Sequence, residues 1–266
     1  MITNAAATRA GGLIGEARRD GHQVGPLPQD CAPEDEADGY AIQSALHAWL
    51  TDAGSGGLVG YKVGSTTPVM QEILGIPHPA SGGVMAKNVY RGEAAFDSGT
   101  FQNVGIECEI AVRISSDTDA GRTDHDRSSI AEHVGACMAA MEIVDNRYGD
   151  FKTASVPVMI ADDFFHAACV LGPEIEGWND LNLAALEGRI VIDGATVGTG
   201  LGSAVMGHPL EAVAWLANAL AARGGKLSSG QFVLCGSFVA VHWLDAHSTE
   251  AVIDVAGLGT TSARFG

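Results

Sequence analysis

Hydrophobic and polar positions along this chain follow two rhythms. Over residues 33–52 the rhythm is helical, with Tyr40, Ile42, Ala45, Leu46, Trp49 and Leu50 recurring on one face. Pro33 and the acids after it suit a first helical turn, by fixed φ and by the macrodipole. With an amphipathic stretch at 1–20, this predicts a small helical N-terminal part, residues 1–57. From Leu58 the period shortens. Strands are expected at 58–64, 83–90, 107–115, 167–172, 188–198, 231–236, 250–257 and 260–266, bounded by Gly, Asp, Ser and Pro clusters. Helices are expected at about 67–75, 128–142 and 208–223, the last opening at His208-Pro209 and closing on glycines. Strand-dominated order argues against a doubly wound parallel sheet. The expected fold class is α+β, with a β-rich sandwich or roll over residues 58–266.

The strand at 107–115 carries the first chemical signal. Its alternation puts Glu107, Glu109, Ala111 and Arg113 on one face and Cys108, Ile110, Val112 and Ile114 on the other. Two carboxylates roughly 7 Å apart along a strand can reach one hard cation such as Mg²⁺. Alternation alone is equally the mark of a solvated strand face, the commoner case. Two further residues shift the balance. Glu142 places a third carboxylate beside an apolar run, and Lys62 lies inside the apolar segment LVGYKVG. A lysine there either snorkels to the surface or is held for its charge near a site.

Other chemistries find little footing. There is no G-x-S-x-G elbow and no H-x-H or H-E-x-x-H motif. The glycine-rich spots at 54–57 and 198–202 complete neither a dinucleotide fingerprint nor a phosphate loop. His166 and His208 suit ordinary structural histidines, either able to line a pocket, and Asp245 and His247 suit a surface loop.

Composition narrows the setting. The chain has 266 residues, 46% of them hydrophobic, enough to bury a sizeable core. Its longest apolar stretches, such as 233–244, are broken by Gly, Ser and His, so no membrane span is expected. The N-terminus lacks the basic start and continuous apolar centre of a secretion signal. Five scattered cysteines without a C-x-x-C pair suit reduced thiols, and a cytoplasmic location is expected. A net charge of −17 argues against a nucleic-acid partner. It also means that an anionic ligand would need local positive charge, from a metal or from a few placed cations.

Several segments together resemble one family. GYKVGSTT (60–67), IECEIAVRI (106–114), MEIVDNRYGDFK (141–152), IADD (160–163), MGHPLEAVAWLANAL (206–220) and the terminal GLGTTSARFG run in order from about residue 35 to the C-terminus. They are similar to the 2-keto-4-pentenoate hydratase and 4-oxalocrotonate decarboxylase group of the fumarylacetoacetate hydrolase superfamily. The resemblance implies a β-rich catalytic domain with a small helical N-terminal part, in a homo-oligomer acting on a small 2-oxo acid. It implies Mg²⁺ (or Mn²⁺) bound by Glu107, Glu109 and Glu142, Lys62 beside metal and substrate, and Asp162 as the acidic residue of an A-D-N segment. Three departures fall where a substrate tail would bind: Asp163 replaces the amide of that segment, Lys87 stands nearest a missing aspartate, and Cys235 replaces a threonine before a glycine. The implied activity is hydration of a 2-hydroxydienoate or 2-oxo-enoate to a 4-hydroxy-2-oxo acid. Alternatives are a 4-oxalocrotonate-type decarboxylase, a C–C bond hydrolase of the superfamily and a non-catalytic homologue.

Overall fold

The computed structural model describes residues 1–149 and 154–266, so the end of the 141–152 motif lies outside the described residues. Helix α1 (Asn4–Asp20) is capped by Thr3, whose hydroxyl accepts from the Ala6 N–H, and ends at the left-handed Gly21. Helix α2 (Glu36–Leu50) starts at Asp35, whose carboxylate accepts from the Asp38 N–H. The two helices pack closely because α1 presents glycines. An ideal Cβ on Gly15 would lie 2.3 Å from the Trp49 ring. Ile14, Ile42 and Leu46 then bury together, along with Met85 and Ala161 from the rest of the chain.

Next come β1 (Leu58–Gly64), α3 (Pro68–Leu74), β2 (Ala80–Met85), β3 (Val89–Arg91), β4 (Glu93–Phe96) and β5 (Val104–Ile114). They are followed by α4 (Arg127–Ala131), β6 (Val134–Asp145), α5 (Val156–Ala161), β7 (His166–Leu171), β8 (Glu187–Ile192) and β9 (Ala195–Leu201). Helix α6 (Pro209–Ala222), β10 (Phe232–Ser237), β11 (His242–Trp243), β12 (Glu250–Val255) and β13 (Gly259–Phe265) complete the chain. The strands form one mixed sheet in the order β2-β1-β10-β5-β6-β7-β3-β4-β13-β12-β8-β9, with β11 beside β5. The sheet rolls over on itself. Ile190, Ile253, Val255 and Ala263 share one apolar core with Ile110, Met141 and Val170, and Val213 and Leu216 of α6 join it. The α+β reading with a helical N-terminal part is borne out.

Three expectations need correction. The strand expected at 83–90 is two, β2 and β3, parted by a helical turn at Ala86–Asn88. The helix expected at 128–142 is a single turn, α4, and from Val134 the chain is strand. Strand β6 is buried on both faces at the middle of the sheet, so the alternation that marks a strand is absent and its Ala- and Met-rich run passes for a helix. The strand expected at 188–198 is a hairpin, turning at Asp193-Gly194 with φ of 47° and 83°. Asp-Gly between apolar runs is a hairpin signal in its own right.

Candidate metal centre

Strands β5 and β6 pair antiparallel along their whole length, and the register sets Glu107 directly opposite Glu142 and Glu109 opposite Ala140. Odd-numbered β5 residues and even-numbered β6 residues share one face, with Ala111, Met138 and Ala140 packed on it. Cys108, Ile110, Cys137 and Met141 fill the core on the other. The three glutamates therefore converge, with carboxylate oxygens within 4.8 Å of one another, the one such gathering of possible metal ligands among the described residues. Glu109 and Glu142 are buried and Glu107 is half-buried.

Lys62 reaches the same face from β1, where it aligns with Leu234 of the parallel neighbour β10. Its residue is 3% exposed, and its Nζ lies 3.2 Å from Glu142 Oε1. The ammonium does not snorkel. His166 Nδ1 meets the same oxygen at 2.8 Å. Glu109 Oε2 accepts from the backbone N–H of Gly236 at 2.7 Å. That glycine has φ of 110°, and an ideal Cβ on it would lie 2.5 Å from Thr66 Oγ1. Only glycine fits there.

Each buried glutamate thus has one oxygen held and one free. Glu109 Oε1 and Glu142 Oε2 are buried without a hydrogen-bond partner among the described residues. Unpartnered buried carboxylate oxygens are costly, and a hard divalent cation with oxygen ligands satisfies them. The residues present fit such an ion. Burial, with the charge of Glu142, pushes the Glu107 carboxyl up to about 7 and that of Glu109 well above the usual range. Burial also works against ionised Glu142, but Lys62 and His166 hold its pKa below the ordinary value. Burial opposes the Lys62 ammonium too, and the three glutamates outweigh it, so its pKa is raised. In the cation-free cluster Glu107 and Glu109 are held toward their neutral forms and Glu142 toward its ionised form, so a cation would displace protons on binding.

The other expected site residues are placed differently. Asp162 is fully buried, with Oδ1 accepting from Arg18 Nε at 2.6 Å and Oδ2 from Arg147 Nη2 at 2.9 Å. Asp163 accepts from Gly83 N–H at 2.7 Å and Arg18 Nη1 at 3.1 Å, and lies 2.8 Å from His47 Nε2. Against the cost of burial, His47 and Arg18 hold its carboxyl well below the usual range. Arg18 and His47, from α1 and α2, have no counterpart in the sequence reading, because nothing local marks a partner more than a hundred residues away. Asp163, Phe164 and Phe165 are left-handed in succession, with φ of 51°, 50° and 66°, and the Phe164 ring centroid lies 5.9 Å from Lys62 Nζ. Lys87 is exposed, past the Leu58–Met85 end of the β1–β2 pair and away from the Lys62–Gly82 level. The Cys235 thiol points into the apolar core, opposite the carboxylate face, and burial pushes its pKa well up. What reaches the site from that turn is the N–H of Gly236.

A family model described as "Fumarylacetoacetate (FAA) hydrolase C-terminal" matches residues 78–265. The chain belongs to the fumarylacetoacetate hydrolase family. Within that family it is 30% identical to a 2-keto-4-pentenoate hydratase of Paraburkholderia phymatum over 253 residues, 94% of each chain. It is 32% identical to a 2-hydroxyhexa-2,4-dienoate hydratase of Comamonas testosteroni over 255 residues, again 94% of each. Among solved structures, 4-oxalocrotonate decarboxylase from Pseudomonas putida G7, complexed with magnesium and adipate, superposes with a TM-score of 0.92. That match is 25% identical and covers 100% of this chain and 99% of the other. The relatives are enzymes of the group that the motifs implied.

Proposed function

We propose that this chain is a divalent-metal-dependent hydratase that adds water to a small 2-hydroxydienoate, of the 2-hydroxypenta-2,4-dienoate kind. The observation that carries the reading is the convergence of Glu107, Glu109 and Glu142, with two unpartnered oxygens, beside a buried Lys62. Glu107, Glu109 and Glu142 would hold Mg²⁺ (or Mn²⁺). When bound, that ion would supply a Lewis acid for the carboxylate and 2-oxygen of a 2-oxo acid.

The chain's own residues supply the rest. Lys62 keeps its proton and presents a fixed positive charge in a protein of net charge −17, the local cation that an anionic substrate requires. Because Nζ is already held by Glu142, its charge is in place before substrate arrives, with no reorganisation in the reaction. Phe164 lies over the ammonium, and water-poor surroundings strengthen its charge. Asp162, with both oxygens engaged by Arg18 and Arg147, suits holding the left-handed turn at 163–165 better than moving a proton. In the overall reaction the dienol gains a proton at C5 and loses that of its 2-hydroxyl, then water adds across C3–C4 with its hydroxyl on C4 and its hydrogen on C3. The product is a 4-hydroxy-2-oxo acid.

The full-length likeness to 4-oxalocrotonate decarboxylase supports a second reading, decarboxylation through the same charge-stabilising site. An ultraviolet assay with 2-hydroxypenta-2,4-dienoate and with 4-oxalocrotonate, each with and without Mg²⁺, separates the two. Loss of the dienol without CO₂ is expected. Release of CO₂ from 4-oxalocrotonate with no hydration would overturn the hydratase assignment. The reading includes a homo-oligomer in the cytoplasm with no nucleic-acid or membrane partner. The acidic charge supports the lack of a nucleic-acid partner, and among the described residues no helix is long and apolar enough to cross a membrane.

A further inference from the structure

Strand β7 pairs antiparallel with β6, with Glu142 opposite Cys169 and Ile143 opposite Ala168. Ala168 enters the apolar core, whereas Cys169 lies on the carboxylate face. Strict alternation would send His166, two residues before Ala168, into that core as well. It does not go there. The register slips by one residue between Ile143 and Val144, so His166 lies opposite Val144 and Ala167 is the extra residue. A bulge of this kind turns the side chain beyond it to the other face. His166 is thereby aimed at Glu142, and Nδ1 meets Oε1 at 2.8 Å.

The arrangement carries a cost. His166 is 2% exposed, and its Nε2 is buried without a partner among the described residues. The contact with Glu142 is what the bulge and the buried ring achieve together. Ionised Glu142 Oε1 can only accept, so Nδ1 carries the hydrogen. Lys62 Nζ approaches the same oxygen at 3.2 Å, which leaves Oε2 as the free oxygen of that carboxylate.

We propose that His166 is a positioning residue of the carboxylate cluster: its Nδ1–H, with Lys62, holds Glu142 Oε1 so that Oε2 faces Glu107 and Glu109 as a cation ligand. The proposal rests on reading the three glutamates as a metal site. Outer hydrogen-bond partners of metal ligands typically contribute about 10–100-fold in affinity.

The test is Mn²⁺ titration of the chelator-stripped full chain, with free Mn²⁺ read by electron paramagnetic resonance, for wild type and three variants. His166→Ala should weaken Mn²⁺ binding about 10–100-fold. His166→Asn should recover affinity to within a few-fold, because its amide N–H falls where Nδ1–H was. His166→Gln should not recover it, because its longer side chain carries the amide toward the Nε2 position. The cation-free melting temperature of each variant identifies folded protein, and the Asn and Gln variants carry the comparison if the Ala variant fails to fold. Unchanged affinity in His166→Ala, or Asn and Gln variants equally weak, would overturn the proposal alone. Wild-type protein that binds no Mn²⁺ would remove the metal-site reading and this proposal with it.

Discussion

Replacing Lys62 by Met keeps the length of the side chain and removes its charge. The ammonium lies 3.2 Å from Glu142 Oε1 in a buried setting. At an effective dielectric of about 20, that separation corresponds to an attraction of roughly 5 kcal/mol before desolvation is counted. Removing one partner of a buried pair typically costs about 3–5 kcal/mol, because the other charge is left uncompensated. For a chain of this size each kcal/mol moves the melting temperature by about 2–4 °C, so the cation-free variant should melt roughly 10 °C lower. Sequence alone gives no reason for a stability change; the contact with Glu142 does. Saturating Mg²⁺ should recover much of the loss, since a cation on the glutamates neutralises Glu142 by another route. Turnover should not recover. With Mg²⁺ saturating, kcat should stay about 10²–10³ below wild type, the scale for one missing electrostatic stabiliser. Thermal melts with chelator and with Mg²⁺, beside the dienol assay, read both effects. Near-wild-type turnover in Lys62→Met would refute the role of the charge. A melting deficit of equal size with and without Mg²⁺ would refute its coupling to the cation site.

Two other outcomes follow from the same geometry. Burial and the charge of Glu142 raise the Glu107 carboxyl to about 7, so below that pH a proton occupies the cation-free cluster and must leave when Mg²⁺ binds. Apparent Mg²⁺ affinity should therefore fall at least about tenfold for each pH unit below 7, Glu109 adding to the slope because its carboxyl is also held toward the neutral form, with proton release measurable by calorimetry at pH 6; a flat profile would contradict the linkage. Among the described residues the last strand in the sheet order, β9, has one edge unpaired, with Val197 and Leu201 exposed, and light scattering should report a mass above the 27.4 kDa chain. A monomer across a wide concentration range would contradict that.

The four residues at the centre of the candidate site are legible in the sequence, and for physical reasons. Glu107 and Glu109 stand out through the period of two in a strand whose other face is apolar, and Lys62 through its apolar neighbours. Glu142 was legible as a residue but not as a geometry. It was expected at the end of a helix, where it could not have faced Glu107 across a strand ladder. Burial on both faces of β6 erases the pattern that would have shown this. The supports were not legible. Arg18 and His47 act on Asp162 and Asp163 across the boundary between the helical and β-rich parts, and local patterning carries no record of such pairs. His166 depends on a bulge, where alternation gives the wrong face. Cys235 was expected near the substrate tail, yet its thiol is in the core and the neighbouring peptide of Gly236 touches Glu109.

The central claim is that Glu107, Glu109 and Glu142 form one divalent-cation site, and Mn²⁺ binding to wild type and Glu109→Gln tests it most directly. Glutamine keeps the size of the side chain, and because burial already holds the Glu109 carboxyl toward its neutral form, the cation-free fold should be little affected. Chelator-stripped wild type should bind one Mn²⁺ per chain, displaceable by Mg²⁺, and Glu109→Gln should bind none at the same concentrations while melting within a few degrees of wild type. Equal Mn²⁺ stoichiometry and affinity in the two proteins would contradict the account.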